Sequence, residues 1–401
     1  MPMIRAYKYR IYPTEEQARL IRQNCSAARF VYNYALRRHL ERREQSEEPV
    51  YYDGYEATKA IYALKNTPDE NGDFPCAWLN SVDSILIGCA TAHLQDAFVN
   101  MSKKGTGFPK FKHRRHEGSY STRRVSNNNI WVNDSYIKLP KISPIRIRLH
   151  RPLDGAIKGV TVSYTSSGKY YVSVSQDIPD EKILGSNAGG EVGIDVGLKE
   201  FYSDSNGHVV DNPKFYAKAQ KRLRRQQRRL SRKEQKHIVG YKTVGKKRVP
   251  IYDRPLSECK NYQKQRIKVA KIHEHVANQR KHFQDVESIK IARENSLVCM
   301  EHLNIQGMQK NSRLAKSISD AGWGLFKSKV AYKVQDHGGV LVSVDTFFPS
   351  SQLCSCCGYK NTDVKNLSIR KWTCPQCGTE HDRDVNAGKN ILAQGKAMLG
   401  A

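Results

Sequence analysis

Acid is what this chain is short of. Against 67 Lys plus Arg it sets only 39 Asp plus Glu, a formal charge of +28 over 401 residues. Such an excess opposes compaction unless a polyanion neutralises it, so nucleic acid is the expected partner and a merely soluble basic enzyme is disfavoured. Long apolar runs are missing too, as is any strongly amphipathic anchor, which argues against a membrane-spanning helix and against a membrane surface as partner. Met1-Pro-Met-Ile-Arg5 has nothing of the apolar core of a secretory leader. Six of the ten cysteines (Cys25, Cys76, Cys89, Cys259, Cys299, Cys356) have no framework spacing, so a disulfide scaffold is excluded and a reducing, intracellular compartment is expected. Cys25, Cys89 and Cys299 fall in apolar patterns and read as small buried hydrophobes. What remains is ordinary for a globular chain: 39% hydrophobic and 26% charged residues, at a length that calls for two or three domains.

Along the chain, Ile4 to Ile11 reads as a strand ended by Pro13. Thr14 with Gln17 makes a capping box, opening a long helix into the forties with Leu20, Ile21, Ala28, Val31, Tyr32 and Ala35 on its apolar stripe. A polar loop around Pro68 to Pro75 leads to another helix from near Ser81. Ile130 to Leu149 and Val160 to Gln176 alternate as strands, with Ser166-Ser-Gly168 as a hairpin turn, and predict a small antiparallel barrel that the N-terminal strand joins. Gly185 to Gly190 reads as a linker. Beyond it, Glu191 to Gly197 is a strand bearing Asp195. Asn212 is a plausible N-cap, with Pro213 at the first helical position, for a very basic helix. A basic loop (Val239 to Leu256) should separate it from a helix of roughly forty residues reaching Asn295. Strands at Ser296–Glu301 and Gly339–Asp345 and a closing helix over Val385–Leu399 complete a mixed α/β core.

Three sets of residues carry chemistry. Hydrolysis of a phosphodiester with two metal ions needs carboxylates converging on one point. Asp195, Glu301 and Asp384 each sit at the end of a strand or the start of a helix, where distant residues can share one sheet edge. Taken singly, each acid is more often a turn or capping residue, and Asp345 is the main decoy. As a set they point to a nuclease binding two Mg²⁺. The second set is Cys354-Ser-Cys-Cys357 with Cys374-Pro-Gln-Cys377, two CxxC pairs sixteen residues apart. Their four thiolates suit one tetrahedral Zn²⁺ and leave no open position, so this zinc is structural. Cys356 offers a shifted register, but the 354/357 pair keeps both halves CxxC; His381 is close enough to support the site. The third set is basic. Eleven Lys or Arg lie between Asn212 and His237 against the single acid Glu234, with Lys218, Arg222, Arg225, Arg229 and Lys236 close to one face, which suits tracking of phosphates. In Gly107-Phe-Pro-Lys-Phe-Lys112, Lys110 and Lys112 are further candidate nucleic-acid contacts. Phe108 and Phe111 either stack on bases or pack against the barrel.

With these residues in view, the chain resembles the TnpB family, transposon-encoded RNA-guided DNA endonucleases related to type V CRISPR effectors. The likeness runs through Tyr9-Arg-Ile-Tyr-Pro13, Ala28-Arg-Phe-Val-Tyr-Asn33, Gly107 to Lys112, Gly193-Ile-Asp195-Val-Gly-Leu198 and Glu301-His-Leu-Asn-Ile305. It continues in Gly322-Trp323 with Phe326, Ser350-Ser-Gln352, the four ribbon cysteines and Asp382-Arg-Asp384-Val-Asn-Ala387. The resemblance implies an RNase H-like (RuvC) nuclease domain over 190–350 and 380–401, whose Asp, Glu and Asp match Asp195, Glu301 and Asp384. It implies a zinc-ribbon insertion over 351–379 that binds target nucleic acid, a wedge barrel over 1–13 and 103–185, and a helical recognition domain over 14–102. It also implies a guide RNA from the transposon end, a double-stranded DNA target beside a short flanking motif, and work at the nucleoid in a prokaryotic cytoplasm. Some relatives have lost the acids and act as RNA-guided repressors, so a DNA-binding regulator with little or no cleavage is the alternative. A strand-joining transposase is disfavoured, because none of the 21 tyrosines is a nucleophile flanked by a metal-binding His pair. One departure is Gly388, where the family usually has a residue such as Ala. A glycine there is expected to loosen the helix carrying Asp384 by about 1 kcal/mol.

Overall fold

The computed structural model describes residues 3–113, 116–125, 127–179, 185–366 and 368–400, in two compact units, 1–182 and 183–401.

The first unit opens with strand β1 (Met3–Tyr12) and helix α1 (Glu15–Gln45), whose start is fixed by the Thr14/Gln17 capping box. Helix α2 (Gly54–Leu64), which the sequence reading passed over, is started by Asp53, whose carboxylate accepts from the backbone N–H groups of Tyr55 and Glu56. Helix α3 (Ile85–Lys104) follows. Then come β2 (Gly118–Arg123), β3 (Trp131–Val132), β4 (Tyr136–Leu139), β5 (Ile142–Arg148), β6 (Ala156–Tyr164) and β7 (Tyr170–Ile178). They form one antiparallel sheet in the order β2-β6-β7-β1-β5-β4-β3. Period-two alternation sends Val160, Val162, Val172 and Val174 into the core, in the register Val160↔Val174 and Val162↔Val172. The N-terminal strand does join the sheet, between β7 and β5. The expected barrel is not closed: among the described residues no ladder joins β2 to β3, and both remain edges.

The second unit is built on a five-stranded sheet, order β10-β9-β8-β13-β14. Its strands are β8 (Gly190–Val196), β9 (Glu200–Asp204), β10 (Val209–Asp211), β13 (Asn295–Glu301) and β14 (Val340–Val344). Between β10 and β13 lie helix α4 (Phe215–Gln235), a hairpin of β11 (Ile238–Val244) and β12 (Lys247–Tyr252), and the 35-residue helix α5 (Lys260–Glu294). Helices α6 (Ile305–Met308), α7 (Ala315–Ala321) and α8 (Trp323–Asp336) precede β14. The small pair β15 (Lys371–Thr373) and β16 (Glu380–Asp382) precedes the closing helix α9 (Arg383–Leu399).

The first three strands run antiparallel, whereas β13 is parallel to both β8 and β14. Interior strand β13, between β8 and β14, is apolar on both faces, as a strand covered from two sides must be. Val298 and Met300 join a core with Phe201, Phe326 and Val330, while Leu297 and Cys299 join one with Val342 and Ile391 of α9.

Four expectations change. Gly185–Gly190 is no free linker: Gly185 and Ala188 donate to the carbonyls of Asp336 and Arg293, both at 2.8 Å, so the segment is laid onto the second unit. Most of the expected loop over 239–256 is a hairpin, with only 253–256 beyond its second strand. Asn212 does not cap α4, which begins two residues later than Pro213; Asp320 of α7 accepts from the N–H groups of Tyr216 and Ala217 instead. Gly388 has a packing role that helix propensity does not account for. It lets the helix backbone lie directly on the sheet: a Cβ there would stand 2.8 Å from the Ser205 amide nitrogen, and one on Gly193 would stand 2.0 Å from the Gly388 carbonyl oxygen.

Candidate active site and thiolate cluster

Asp195 near the end of β8, Glu301 at the end of β13 and Asp384 in the first turn of α9 line one cleft of about 560 Å³. Parallel β8 and β13 bring the first two to the same sheet edge, with Ile194 opposite Met300 in register. The third arrives because Asp382, not Asp384, caps α9. Asp382 accepts from the N–H groups of Asp384 (3.0 Å) and Val385 (3.2 Å), leaving the Asp384 carboxylate to face the cleft. Asp345 stays outside this cleft and accepts from the Phe347 N–H at 2.8 Å, a turn-capping role.

The electrostatics are those of crowded acids. The Asp195 carboxyl is held well above the usual range, first by burial, then by the Glu301 and Asp384 charges, with Arg383 and Arg370 opposing. Burial also raises Glu301, against the hydrogen bond from Ser350 and the charge of Lys327. Asp384 is raised by burial and by Asp382 and Glu200, with Arg370 opposing. Three acids that resist ionising side by side make a donor set suited to hard divalent cations.

The sequence assigned no individual role to several residues at this site, although Ser350 and Asn386 fall within the motifs of the family likeness. Ser350 donates to Glu301 Oε1. Lys327 Nζ donates to the Glu301 carbonyl (3.0 Å) and to Ser343 Oγ (2.6 Å), fixing the end of β13. Arg370 donates to both Asp384 oxygens, at 2.8 and 3.2 Å. On α9, Asn386 and Asn390 donate to the Leu353 carbonyl at 2.6 and 2.7 Å, and Asn390 also reaches the Ser350 carbonyl at 2.8 Å. One helix thus holds both Asp384 and the loop that carries Ser350 into the thiol cluster.

In that cluster the ligand atoms of Cys354, Cys357, Cys374 and Cys377 all lie within 4.8 Å of one another. The Cys354–Cys377 and Cys357–Cys374 sulfurs are 3.6 Å apart, close to the edge of about 3.8 Å of a tetrahedron with ~2.3 Å Zn–S bonds. The four cysteines fit one zinc ion. His381 Nε2 is 3.0 Å from Cys354 Sγ, and its ring packs on Trp372 at 4.8 Å. Cys354, Cys356 and His381 also cluster, but that set holds only three ligands.

Of the basic candidates, Lys218 and Arg222 line a groove of about 680 Å³ with Lys268, Lys271 and His275 of α5. They also line, with Arg225 and Arg229, a second concavity of about 1010 Å³ along α4. Lys236 follows the helix end and belongs to neither. In the first unit Lys110 is exposed. Lys112 is held over the Tyr32 ring at 3.9 Å, and Asn33 bonds its backbone on both sides. Phe108 packs edge-on against Phe98 of helix α3 and remains 38% exposed. A further basic face escaped the sequence reading. Arg10 lies opposite Arg148 in the β1–β5 register, and Lys8 and Arg10 sit over the Tyr171 ring. Like charges placed directly opposite destabilise a sheet, so an anion is the natural neutraliser.

Carboxylates gathered in one cleft beside a four-thiolate knuckle, on a strongly basic chain, define a candidate nuclease. Sequence comparison gives the family. The model described as "Cas12f1-like, TNB domain" matches residues 323–391, "Probable transposase" matches 174–312 and "Helix-turn-helix domain" matches 1–48. In the last of these, residues 3–12 form a strand and 15–45 a single helix. A protein of Streptomyces pristinaespiralis named "Putative RNA-guided DNA endonuclease" is 34% identical over 98% of this chain and 90% of its own length. "Putative RNA-guided DNA endonuclease InsQ" of Escherichia coli is 28% identical over all of this chain and 94% of its own. The chain belongs to this family of TnpB-like, transposon-associated proteins. A cryo-EM structure titled as a Cas12f1–sgRNA–target DNA complex aligns over 97% of the chain and 99% of its own, but only loosely, at 16% identity and a TM-score of 0.33. None of the described helices is long and apolar enough to cross a membrane.

Proposed function

We propose that this protein is an RNA-guided DNA endonuclease with an RNase H-like (RuvC) centre, in which Asp195, Glu301 and Asp384 bind two Mg²⁺ ions. The convergence of these three carboxylates on one cleft carries the reading, and the names of the full-length relatives support the guided activity. Bound there, the ions would supply an activated water and stabilise the leaving oxygen. The chain's own residues do the holding. Lys327 fixes the Glu301 backbone, Ser350 orients the Glu301 carboxylate, and Asp382 fixes the first turn of α9, so that Asp384 faces the cleft. Arg370 and Arg383 line the same cleft and supply positive charge for a phosphate. With one such centre, the two strands of a target are cut in turn.

In this reading the four cysteines hold a structural zinc in the ribbon over 351–379. Residues 1–13 and 103–185 form the wedge around the helical recognition segment 14–102, and 190–350 with 380–401 form the nuclease domain. A guide RNA transcribed at the transposon end selects the target beside a short flanking motif, in the prokaryotic cytoplasm. Lys218, Arg222, Arg225, Arg229, Lys236, Lys110 and Lys112 are candidate phosphate contacts.

The test is to express the chain with its transposon-end locus, sequence the co-purifying RNA, and supply a matching duplex with Mg²⁺. Cleavage by the wild type, abolished in Asp195→Ala, Glu301→Ala and Asp384→Ala with RNA retained, is the expected result. Target binding by the wild type with no cut product would instead make it a guided regulator, and a mixture of host RNAs would remove the guided reading.

A further inference from the structure

Among the described elements of the second unit, the β11–β12 hairpin has no part in the cleft or the thiol cluster. Its two strands form their own sheet, joined to no other described strand. Gly245, at φ +58°, opens a two-residue turn between the paired Val244 and Lys247, the place where a type II′ turn takes glycine. Every residue from Tyr241 to Lys247, and Arg248 after them, is exposed, so neither face of the distal ribbon has a core to cover. An isolated two-stranded ribbon is marginal in water, and this one also presents Val244 at 57% exposure and Ile251 at 42%.

The base of the ribbon, by contrast, is fastened. Tyr252 donates to Glu234 Oε1 at 2.6 Å, and Asp253 pairs with His237 at 3.1 Å and with Arg254 at 3.3 Å. The neighbouring acids are thereby engaged at the base. Between Ile238 and Tyr252 the chain carries Lys242, Lys246, Lys247 and Arg248 and no acid, and no described carboxylate pairs with any of the four. The register divides them. Gly240↔Ile251, Lys242↔Val249 and Val244↔Lys247 put two lysines and three apolar side chains on one face. Thr243↔Arg248 and Tyr241↔Pro250 form the other, where Arg248 lies over the Tyr241 ring at 4.2 Å.

We propose that this ribbon docks in the major groove of B-form duplex DNA. Charge selects a polyanion, and shape selects the duplex. A ribbon with strands about 4.8 Å apart fits a groove about 12 Å wide, whereas the deep, narrow major groove of A-form RNA admits no such element. The cationic tip reaches phosphates, and Val244, Val249 and Ile251 offer apolar surface to thymine methyl groups. The proposal rests on the reading of the chain as a DNA-acting enzyme, but its test reads binding alone.

The test uses the full chain with its co-purified RNA in an Asp195→Ala background, so that binding is read without cutting. The probes are random-sequence DNA about three turns long and an RNA duplex of equal length. Replacing Lys246, Lys247 and Arg248 together by Ala should make the log–log salt dependence of DNA binding shallower by about 2 to 3, with roughly ten- to hundredfold weaker binding near 0.15 M salt. RNA-duplex binding should not change. The Val244→Thr, Ile251→Thr double variant should weaken DNA binding at an unchanged salt slope. An unchanged slope in the triple variant, an equal loss on RNA duplex, or an apolar double variant that binds DNA like the parent each overturns groove docking. Because cutting is not read, a chain that proves to be a regulator leaves this result standing.

Discussion

The guanidinium of Arg370, just ahead of ribbon strand β15, lies 2.8 Å from one carboxylate oxygen of Asp384 and 3.2 Å from the other. Two parts of the chain far apart in role meet in that pair. Arg370 occupies lone pairs that a cation would use, so removing it should ease metal entry. Arg370→Ala is expected to tighten Mn²⁺ binding, read by calorimetry, by about two- to fivefold, the range of a partly exposed ion pair. Weaker metal binding in that variant would show the arginine to be a support for the carboxylate rather than its competitor.

Asn390 is buried, and its side chain donates to the Ser350 and Leu353 carbonyls. Asn390→Ala leaves both without that donor and should cost about 1–3 kcal/mol. Melting should fall by about 2–4 °C per kcal/mol, and cleavage should drop because Ser350 is displaced from Glu301. A variant that melts lower but cuts at the parental rate would separate the clamp from the site.

Alanine normally stabilises a helix over glycine by about 1 kcal/mol. Gly388→Ala should do the reverse, destabilising by about 1–3 kcal/mol, because its Cβ would meet the Asp204–Ser205 backbone. The sign of the change in a denaturant titration decides it.

The raised Asp195 carboxyl makes a prediction about pH. A folded-state value above the unfolded one of about 3.9 means that the folded chain holds its proton longer. Stability is then undiminished below that value and is lost as pH rises through the window up to the folded one. Asp195→Asn should therefore melt like the parent near pH 3.5 and increasingly above it by pH 7. Mg²⁺ should raise the melting point of the parent more than that of the variant.

Cys374 is one of the four clustered thiols. Cys374→Ser should reduce bound zinc from one ion per chain toward none and alter the fluorescence of Trp372, buried beside Cys354 and Cys374. Full zinc content in Cys374→Ser would point to the set that includes Cys356 and His381.

Local signals were legible. The capping box at Thr14, the apolar strand bearing Asp195, the strand ending in Glu301 and each CxxC pair are written in short stretches of chain, and each marks the element found there. What the sequence does not reveal is long-range. Asp320 caps a helix 104 residues away, Lys327 anchors a strand end 26 residues back, and Arg370 meets Asp384 only once β15 and β16 pair. Gly388 misled for the same reason: its helix propensity is written in the sequence, but the strand it presses on is not. The β11–β12 hairpin was hidden by its composition, since charge and a glycine turn look like loop when no face is buried.

The contact of Gly193 with Gly388 has a consequence for how the centre can vary. Where Gly193 of β8 meets Gly388 of α9 no side chain intervenes, so at that crossing main chain rests on main chain between Asp195 and Asp384. Core residues elsewhere can change size or shape without altering that interval, much as the walls of a house can be rebuilt around a hinge set directly in stone. Changes at the periphery, ribbon and hairpin included, are then expected to leave the gap between the two acids as it is.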